Sequence, residues 1–349
     1  MPRPFVCMKV ISGQIAPFLS FGRVFLSNHS VDKVPHMNLS VVFVGTAASA
    51  PTARRGLSAL VVRRGGDVLL FDCGEGTQRQ LIKSIGLADI EHIFISHFHA
   101  DHILGLPGML KTFALRGREL PLTVYGPPGL ERVMADLEAI FGRLPYELTI
   151  YELRAGEELG FKGYAVIPFE VDHQGVCFGY AIVEHDRPGK FDEAAAEKLG
   201  VKPGADYGIL QRGGSVTNAS GETVTPEQVL GEARLGRKVI YSGDTAPCEA
   251  LKIAAHQADV LVHESSFGDE EAARAAETRH STARQAAEIA KAAEVKLLCL
   301  THVSNRYFGK ELREEAREVF ANTELPRDFD VVEIPFPERG EPLLVREGE

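Results

Sequence analysis

Residues 97–102 read HFHADH, which sets four metal-binding side chains, His97, His99, Asp101 and His102, within six positions. A lone histidine at such a place is usually structural, but a cluster this dense reverses that expectation. The preceding run, residues 90–95 (IEHIFI), reads as a buried strand with Ser96 at its end. The ligands therefore sit at a strand's carboxyl end, where open α/β sheets place their sites. His97 and His99 suit one ion, and Asp101 with His102 suits a second. Two ions need more donors, and three candidates close other apolar runs: His173 after YAVIPFEVD, Asp244 in KVIYSGDT and His302 in LLCLTH. A coherent scheme gives His97, His99 and His173 to the first ion and Asp101, His102 and His302 to the second, with Asp244 bridging. Nitrogen and oxygen donors without thiolate suit Zn2+, and Mn2+ or Fe2+ also match these ligand types.

Two such ions, ~3.5–4 Å apart, bring the pKa of a bridging water toward ~7 and neutralise an attacked oxyanion. The ligands thus specify hydrolysis and leave the substrate open between a phosphodiester and a thioester. Expelling a sugar oxygen also requires a proton donor. His280 is the candidate, because it precedes the helix-like STARQAAEIAKAA, which Ser281 or Thr282 can cap. Glu264, in VLVHESSF, can orient that imidazole and raise its pKa.

The elements that must position these residues are regular from Leu39 onward. Strands are expected at 39–45, 57–63 and 67–72, then a helix in FDCGEGTQRQLIKSIG with Gly86 as C-cap. After the metal loop come a helix in GLPGMLKTFALRG, a strand PLTVYG and a helix PPGLERVMADLEAIF. Further strands are expected at 147–153, 163–171 and 177–184. KVIYSGD, DVLVHES and VKLLCLTH then alternate with helices near 247–256, 281–293 and 310–321. Strand runs first and strand–helix alternation later predict two packed sheets with helices outside. Residues 185–235 break the rhythm with Gly, Pro and charge, and read as a surface insertion, an exposed arm with a short helix at 192–199. Residues 1–36 lack the compact apolar region of a secretory signal and read as a peripheral extension without catalytic part.

Composition bounds the partners. The chain has 349 residues, of which 44% are hydrophobic and 25% charged, an ordinary globular balance. No apolar run approaches the ~20 residues of a membrane span. Five scattered cysteines, none in a CxxC pair, point to a reducing compartment and against a disulfide framework or thiolate zinc site. A formal charge of −10 disfavours nucleic acid unless basic side chains gather locally. Arg54, Arg55, Arg79, Lys83, Lys111, Arg116 and Arg118 all lie near the proposed metal face in sequence, which predicts a positive cleft on an acidic body.

HxHxDH followed by single His, Asp and His resembles the metallo-β-lactamase superfamily. More narrowly, FDCGEGTQRQ (71–80), ISHFHADHILGLPG (95–108), RPGKFD (187–192), SGDT (242–245), HES (263–265), HSTARQAAEIA (280–290) and THVSNRY (301–307) resemble the short-form ribonuclease Z family. The resemblance runs from about Leu39 to the carboxyl terminus. It implies an α/β fold, the four-layer αββα metallo-β-lactamase sandwich with a protruding arm, in a catalytic domain spanning 37–349. It also implies a zinc-dependent endonuclease, with two ions per subunit, that cuts the 3′ trailer from tRNA precursors in the cytoplasm. Asp101 would help orient or deprotonate the water, His280 would be the leaving-group acid and Glu264 its support. Ser304 and Arg306 would lie near the scissile phosphate; Arg116 and Arg118, from the basic group and not from the resemblance, are expected to contact the RNA. Residues 185–225, with Lys190, would form the flexible arm that grips the tRNA and serves the partner's site in a homodimer. The chain departs from the family's pattern at APTARR, at HESS and at Arg279, none of them a ligand. The competing readings are a small-molecule hydrolase of the same fold and a non-catalytic RNA-binding subunit; the first has no use for the arm, the second none for seven ligands.

Overall fold

A computed structural model describes residues 38–87 and 90–346. The extension assigned to residues 1–36 lies outside them. Strands β1 Leu39–Gly45, β2 Ala59–Arg64, β3 Asp67–Phe71, β4 Ile90–Phe94, β5 Leu122–Gly126 and β6 Leu148–Glu152 come first. β7 Leu159–Phe161, β8 Tyr164–Glu170 and β9 Phe178–Glu184 follow, then the two short strands β10 Val216–Thr217 and β11 Thr223–Val224. The last are β12 Lys238–Tyr241, β13 Val260–Glu264, β14 Leu297–Thr301, β15 Thr323–Glu324, β16 Val331–Ile334 and β17 Leu343–Val345. One sheet has the order β17-β16-β1-β2-β3-β4-β5-β6 and the other β15-β14-β13-β12-β9-β8-β7. β16, β1, β2 and β3 pair antiparallel, whereas β3 to β6 and β12 to β15 run parallel.

The continuous apolar runs of β13 (VLVHE) and β14 (LLCLT) are buried at every residue, as strands covered on both faces must be. β4 and β9 lie in different sheets and meet through aromatic rings. Phe71 and Phe94 stack at 5.0 Å, and the Tyr180 ring lies 5.4 and 5.5 Å from them. The Tyr180 hydroxyl donates to the Ile95 carbonyl at 2.7 Å, and the Phe178 N–H donates to the Ser96 carbonyl at 2.9 Å. The segment that leads into HFHADH is thereby fastened to both layers. On the outer face of the first sheet, helices Gly105–Leu115 and Leu130–Phe141 pack Leu106, Met109, Phe113 and Met134 against Val61, Leu70, Ile93 and Val124. On the second sheet, helix Ala283–Ala292 lays an alanine-rich face on β13 and β14.

The expected elements are present with ends shifted by a few residues. Helix Thr77–Lys83 is capped by Ser84 and not by the expected Gly86, which lies two residues further on at φ 81° and donates its N–H back to the Leu81 carbonyl. Helix Ala272–Thr278 and strands β16 and β17 were not anticipated. These pieces of three to seven residues are too short for a period to register, and β16 is recruited by its pairing with β1. No helix among the described residues is long and apolar enough to cross a membrane.

A smaller compact unit consists of Gly160–Ala165 and Val183–Arg237, close to the 185–235 read from composition and wider than the arm of 185–225 that the resemblance implied. It has a core of its own, in which Ala196, Val201, Leu210, Val216, Val224 and Val229 cluster. Its helix Glu193–Lys198 is capped by Asp192, whose side chain accepts from the Ala195 N–H at 2.9 Å. Buried Arg237 forks onto Glu184 with contacts of 2.7 and 2.8 Å, a charge-assisted pair with both partners satisfied.

Gly105 follows directly on the ligand turn, and a Cβ there would stand 2.0 Å from the Gly74 carbonyl oxygen. Backbone faces backbone, so nothing flexible can yield. Gly105→Ala is expected to cost about 1–3 kcal/mol, read as a lower urea midpoint at unchanged slope. An unchanged midpoint would show that the contact carries no load.

Candidate metal centre

The proposed ligands all lie at or just beyond strand ends. Beyond β4 the chain passes through His97 and His99 and enters a single helical turn, Ala100–Ile103. The His102 N–H donates to the His99 carbonyl at 3.0 Å, so the turn sets His102 beside Asp101. His173 follows β8, Asp244 follows β12 and His302 follows β14.

Folding collects these residues into two overlapping groups. The donor atoms of His97, His99, His173 and Asp244 lie within 4.8 Å of one another, as do those of Asp101, His102, Asp244 and His302. Asp244 Oδ2 stands 3.2 Å from His102 Nε2, 3.4 Å from His302 Nε2 and 3.8 Å from His97 Nε2. Four imidazoles are oriented through Nδ1. His102 Nδ1 lies 2.7 Å from Asp72 Oδ2, and His173 Nδ1 donates to the Arg279 carbonyl at 2.9 Å. His302 Nδ1 lies 2.8 Å from Ser266 Oγ, and His97 Nδ1 3.0 Å from Ser96 Oγ. With the outer nitrogens engaged, the Nε2 atoms are left to bind an ion, the arrangement that fixes metal-site histidines.

The donor set fits a divalent cation. His97 Nε2 is buried with no hydrogen-bond partner, and His173 Nε2 faces His99 Nδ1 at 3.2 Å. A buried, unsatisfied polar atom costs about 1–3 kcal/mol, which a cation accepting the lone pair removes. Burial acts to raise the Asp244 carboxyl, but His102 and His302 outweigh it and hold the group well below the usual carboxylate range. Asp101 is likewise depressed, burial being outweighed by His302 and His102. Anionic oxygens and imidazole nitrogens, with no thiolate among them, are donors for a borderline metal ion.

Asp72 is the residue whose part the sequence did not disclose. It accepts from the Ser96 N–H at 2.7 Å, the Ser96 hydroxyl at 2.9 Å and the Tyr241 hydroxyl at 2.7 Å, while backing His102. An aspartate after DVLLF was the available signal, but aspartates close many strands. Asp72 (φ 57°), Arg279 and His302 (both φ 55°) have left-handed backbone. Such a conformation costs a non-glycine residue roughly 1–2 kcal/mol, and three of them border one site.

His280 stands beside the second group. Its Nδ1 is 2.7 Å from Glu264 Oε1, and its ring lies 5.5 Å from that of His302. Glu264 is wholly buried and also accepts from the Thr245 N–H at 2.9 Å and the Ser266 hydroxyl at 2.8 Å. Burial would lower the His280 pKa, but the Glu264 charge prevails and raises it to about 9. Of the two cap candidates, Thr282 is used: it accepts from the Gln285 N–H at 3.2 Å, and Gln285 returns to the Thr282 N–H at 2.9 Å. Ser281 is thereby free to donate to the Thr245 carbonyl at 2.7 Å, next to Asp244.

A cavity of about 170 Å3 adjoins these groups, lined by Ser49, Arg274, His280, His302, Ser304 and Arg306 among others. Arg306 is held by the Glu271 carboxylate at 2.6 Å, and its guanidinium lies 5.4 Å over the Phe267 ring. Arg118 donates to the Leu120 and Pro121 carbonyls, each at 2.8 Å, which commits it to its own turn. Arg116 is exposed just beyond helix Gly105–Leu115. Lys190 belongs to the smaller unit, exposed beside a groove lined by Phe191, Gln228 and Leu230.

Two packed sheets with this donor set at their strand ends define a class of hydrolase, and the Metallo-beta-lactamase superfamily model matches residues 52–302. A Ribonuclease Z of Myxococcus xanthus (strain DK1622) is 46% identical over 301 residues, spanning 85% of this chain and 98% of the relative. A Ribonuclease Z of Methanosarcina acetivorans is 43% identical over 302 residues, spanning 85% and 99%. Among solved structures, the short form of human tRNase Z aligns with a TM-score of 0.61 at 28% identity, covering 85% of this chain and 99% of that one. The chain belongs to the ribonuclease Z family of that superfamily.

Asp72→Asn keeps the shape behind His102 and removes the charge. Metal affinity is expected to weaken about 10- to 100-fold, measured by competition with a chromogenic chelator. Equal affinity in the two proteins would deny Asp72 this part.

Proposed function

We propose that this protein is an endoribonuclease that removes the 3′ trailer from tRNA precursors, using two zinc ions per subunit and His280 as the leaving-group acid. The observation that carries this reading is the Glu264–His280 pair set beside the two ligand groups. A hydrolase of activated esters has no need of a dedicated proton donor, whereas expulsion of a sugar oxygen does.

His97, His99 and His173 would hold one ion, Asp101, His102 and His302 the other, and Asp244 would touch both. Bound there, the pair of ions supplies Lewis-acid activation of water at neutral pH and neutralises charge developing on the phosphodiester. Asp101 would also help to orient or deprotonate the attacking water. Glu264 occupies His280 Nδ1, which leaves Nε2 as the atom that can give a proton to the departing sugar oxygen. The Glu264 carboxylate raises the pKa of that imidazole against the effect of burial, which favours its protonated form. Ser304 and Arg306, which line the adjoining cavity, would steady the scissile phosphate, the arginine being held in place by Glu271.

The domain division consistent with this activity is a catalytic domain over 37–349, with residues 1–36 peripheral and the unit of residues 183–237 as the tRNA-gripping arm. Lys190 would contact the tRNA from that arm. A homodimer in which each arm serves the partner's site, working in the cytoplasm, completes the reading. The family resemblance supports it.

The decisive experiment incubates the zinc-loaded protein with a 3′-extended tRNA precursor and maps the product ends. A single cut beside the discriminator is expected, abolished by chelation or by His97→Ala and restored by zinc in the wild type. His280→Ala should lower kcat by about 10²- to 10⁴-fold with metal content unchanged. An intact precursor alongside hydrolysis of a thioester would overturn the proposal.

Arg116 is the cleaner probe of RNA binding, because Arg118 is committed to backbone carbonyls. Arg116→Glu should weaken precursor binding and reduce its salt dependence by about one phosphate contact. Binding with the wild-type salt slope would remove Arg116 from the interface.

A further inference from the structure

Phe308 is the most exposed large apolar side chain among the described residues, at 92%, and the one aromatic among those exposed. Exposed aliphatic residues such as Leu115, Ile140 and Ile253 are scattered singly, which is ordinary for a surface. Phe308 differs in where it stands and in how firmly its backbone is held. Before it, the Tyr307 N–H donates to the Ser304 carbonyl at 3.1 Å and the Tyr307 hydroxyl donates to Glu271 at 2.7 Å. The Phe308 N–H itself donates to Glu311 Oε1 at 2.7 Å. After it, Gly309 takes φ 96° and opens helix Lys310–Val319. The ring is therefore carried by a loop pinned on both sides.

Its surroundings carry charges of both signs, Arg306 and Arg55 with Glu271 and Glu311, and border the chemistry. Arg306 lines the cavity that also holds His280 and His302. Two residues of chain reach at most ~7 Å, so the Phe308 Cα lies within that distance of the Arg306 Cα. On the far side, a Cβ on Gly309 would stand 3.4 Å from Arg55 Nη2. An arginine that lines the cavity, held in place by Glu271, beside an exposed aromatic face is a pairing of phosphate and base contacts of the kind by which proteins hold single-stranded nucleic acid.

We propose that the Phe308 ring is a stacking platform for an unpaired nucleobase next to the scissile phosphate. The inference rests on the reading of the substrate as RNA. A ring left in water gains by covering its face, and a base is a flat partner of matching size that any sequence supplies. Phe308 is thus a positioning residue: it sets the register of the strand across the site without touching the reacting atoms.

The test measures steady-state cleavage of a 3′-extended tRNA precursor. Phe308→Ala should raise KM about 5- to 100-fold, the loss of one stacked base, with the change falling on KM rather than kcat. Phe308→Tyr should stay near wild type and Phe308→Leu should behave as alanine, since leucine retains apolarity without a π face. Precursors abasic at either nucleotide flanking the cut identify the partner. At the stacked position the abasic substrate weakens wild-type binding, and Phe308→Ala adds no further loss. An unchanged KM in Phe308→Ala, or a wild-type KM in Phe308→Leu, would overturn the proposal. So would a smaller sedimenting species in Phe308→Ala, because the ring would then belong to a contact between copies. Failure of the RNA reading is seen separately, as a wild-type protein that leaves the precursor intact.

Discussion

A carboxylate kept ionised out of water is the constraint on which the rest of the structure depends. Asp244 is only 2% exposed, and an unpaired charge at that depth would cost several kcal/mol. Its compensation is the ring of imidazoles around it, and each imidazole in turn needs an outer partner to fix which nitrogen faces inward. The layers of contact that follow, Asp72 behind His102, Ser266 behind His302 and the Arg279 carbonyl behind His173, are successive answers to that one electrostatic demand. The cluster of oxygen and nitrogen donors that results is a host for divalent cations rather than a self-sufficient core.

The fold serves this demand by aligning strand ends. β3, β4, β12, β13 and β14 are mostly parallel neighbours, so their carboxyl ends open at the same level and deliver Asp72, the HFHADH segment, Asp244, Glu264 and His302 together. The aromatic layer of Phe71, Phe94 and Tyr180 fixes the spacing between the two sheets. Because Tyr180 and Phe178 bond the backbone at Ile95 and Ser96, the ligand segment cannot shift in one sheet without the other. Left-handed backbone at Asp72, Arg279 and His302 shows where the chain bends against its own preference to complete the site, a local cost that the surrounding hydrogen bonds hold in place.

Local polar chemistry sorts neighbouring residues into different tasks. In the segment 280–282, His280 turns to Glu264, Ser281 to the Thr245 carbonyl and Thr282 to the helix it caps. Three adjacent side chains thereby link the Glu264 carboxylate, the loop that carries Asp244 and the start of a helix. The arginines divide in the same manner: Arg118 and Arg306 are held by carbonyls or a carboxylate, while Arg116 remains exposed.

The candidate donors and the positions of the strands along the chain were legible in the sequence, because buried parallel strands are continuous apolar runs and metal donors at their ends are conspicuous against them. The HFHADH cluster, the apolar runs around it and the capping signal before helix Ala283–Ala292 are all local, and a local pattern survives in one dimension. Asp72, the short strands β16 and β17 and the core of the smaller unit were not legible. Asp72 acts on His102 thirty positions away, β16 exists by pairing with β1, and the valines and leucine of residues 196–229 have no common period. The sequence by itself determined which atoms could bind a metal. Only the tertiary structure decided which of them share an ion-sized space, since that depends on distances between strand ends that no spacing along the chain encodes.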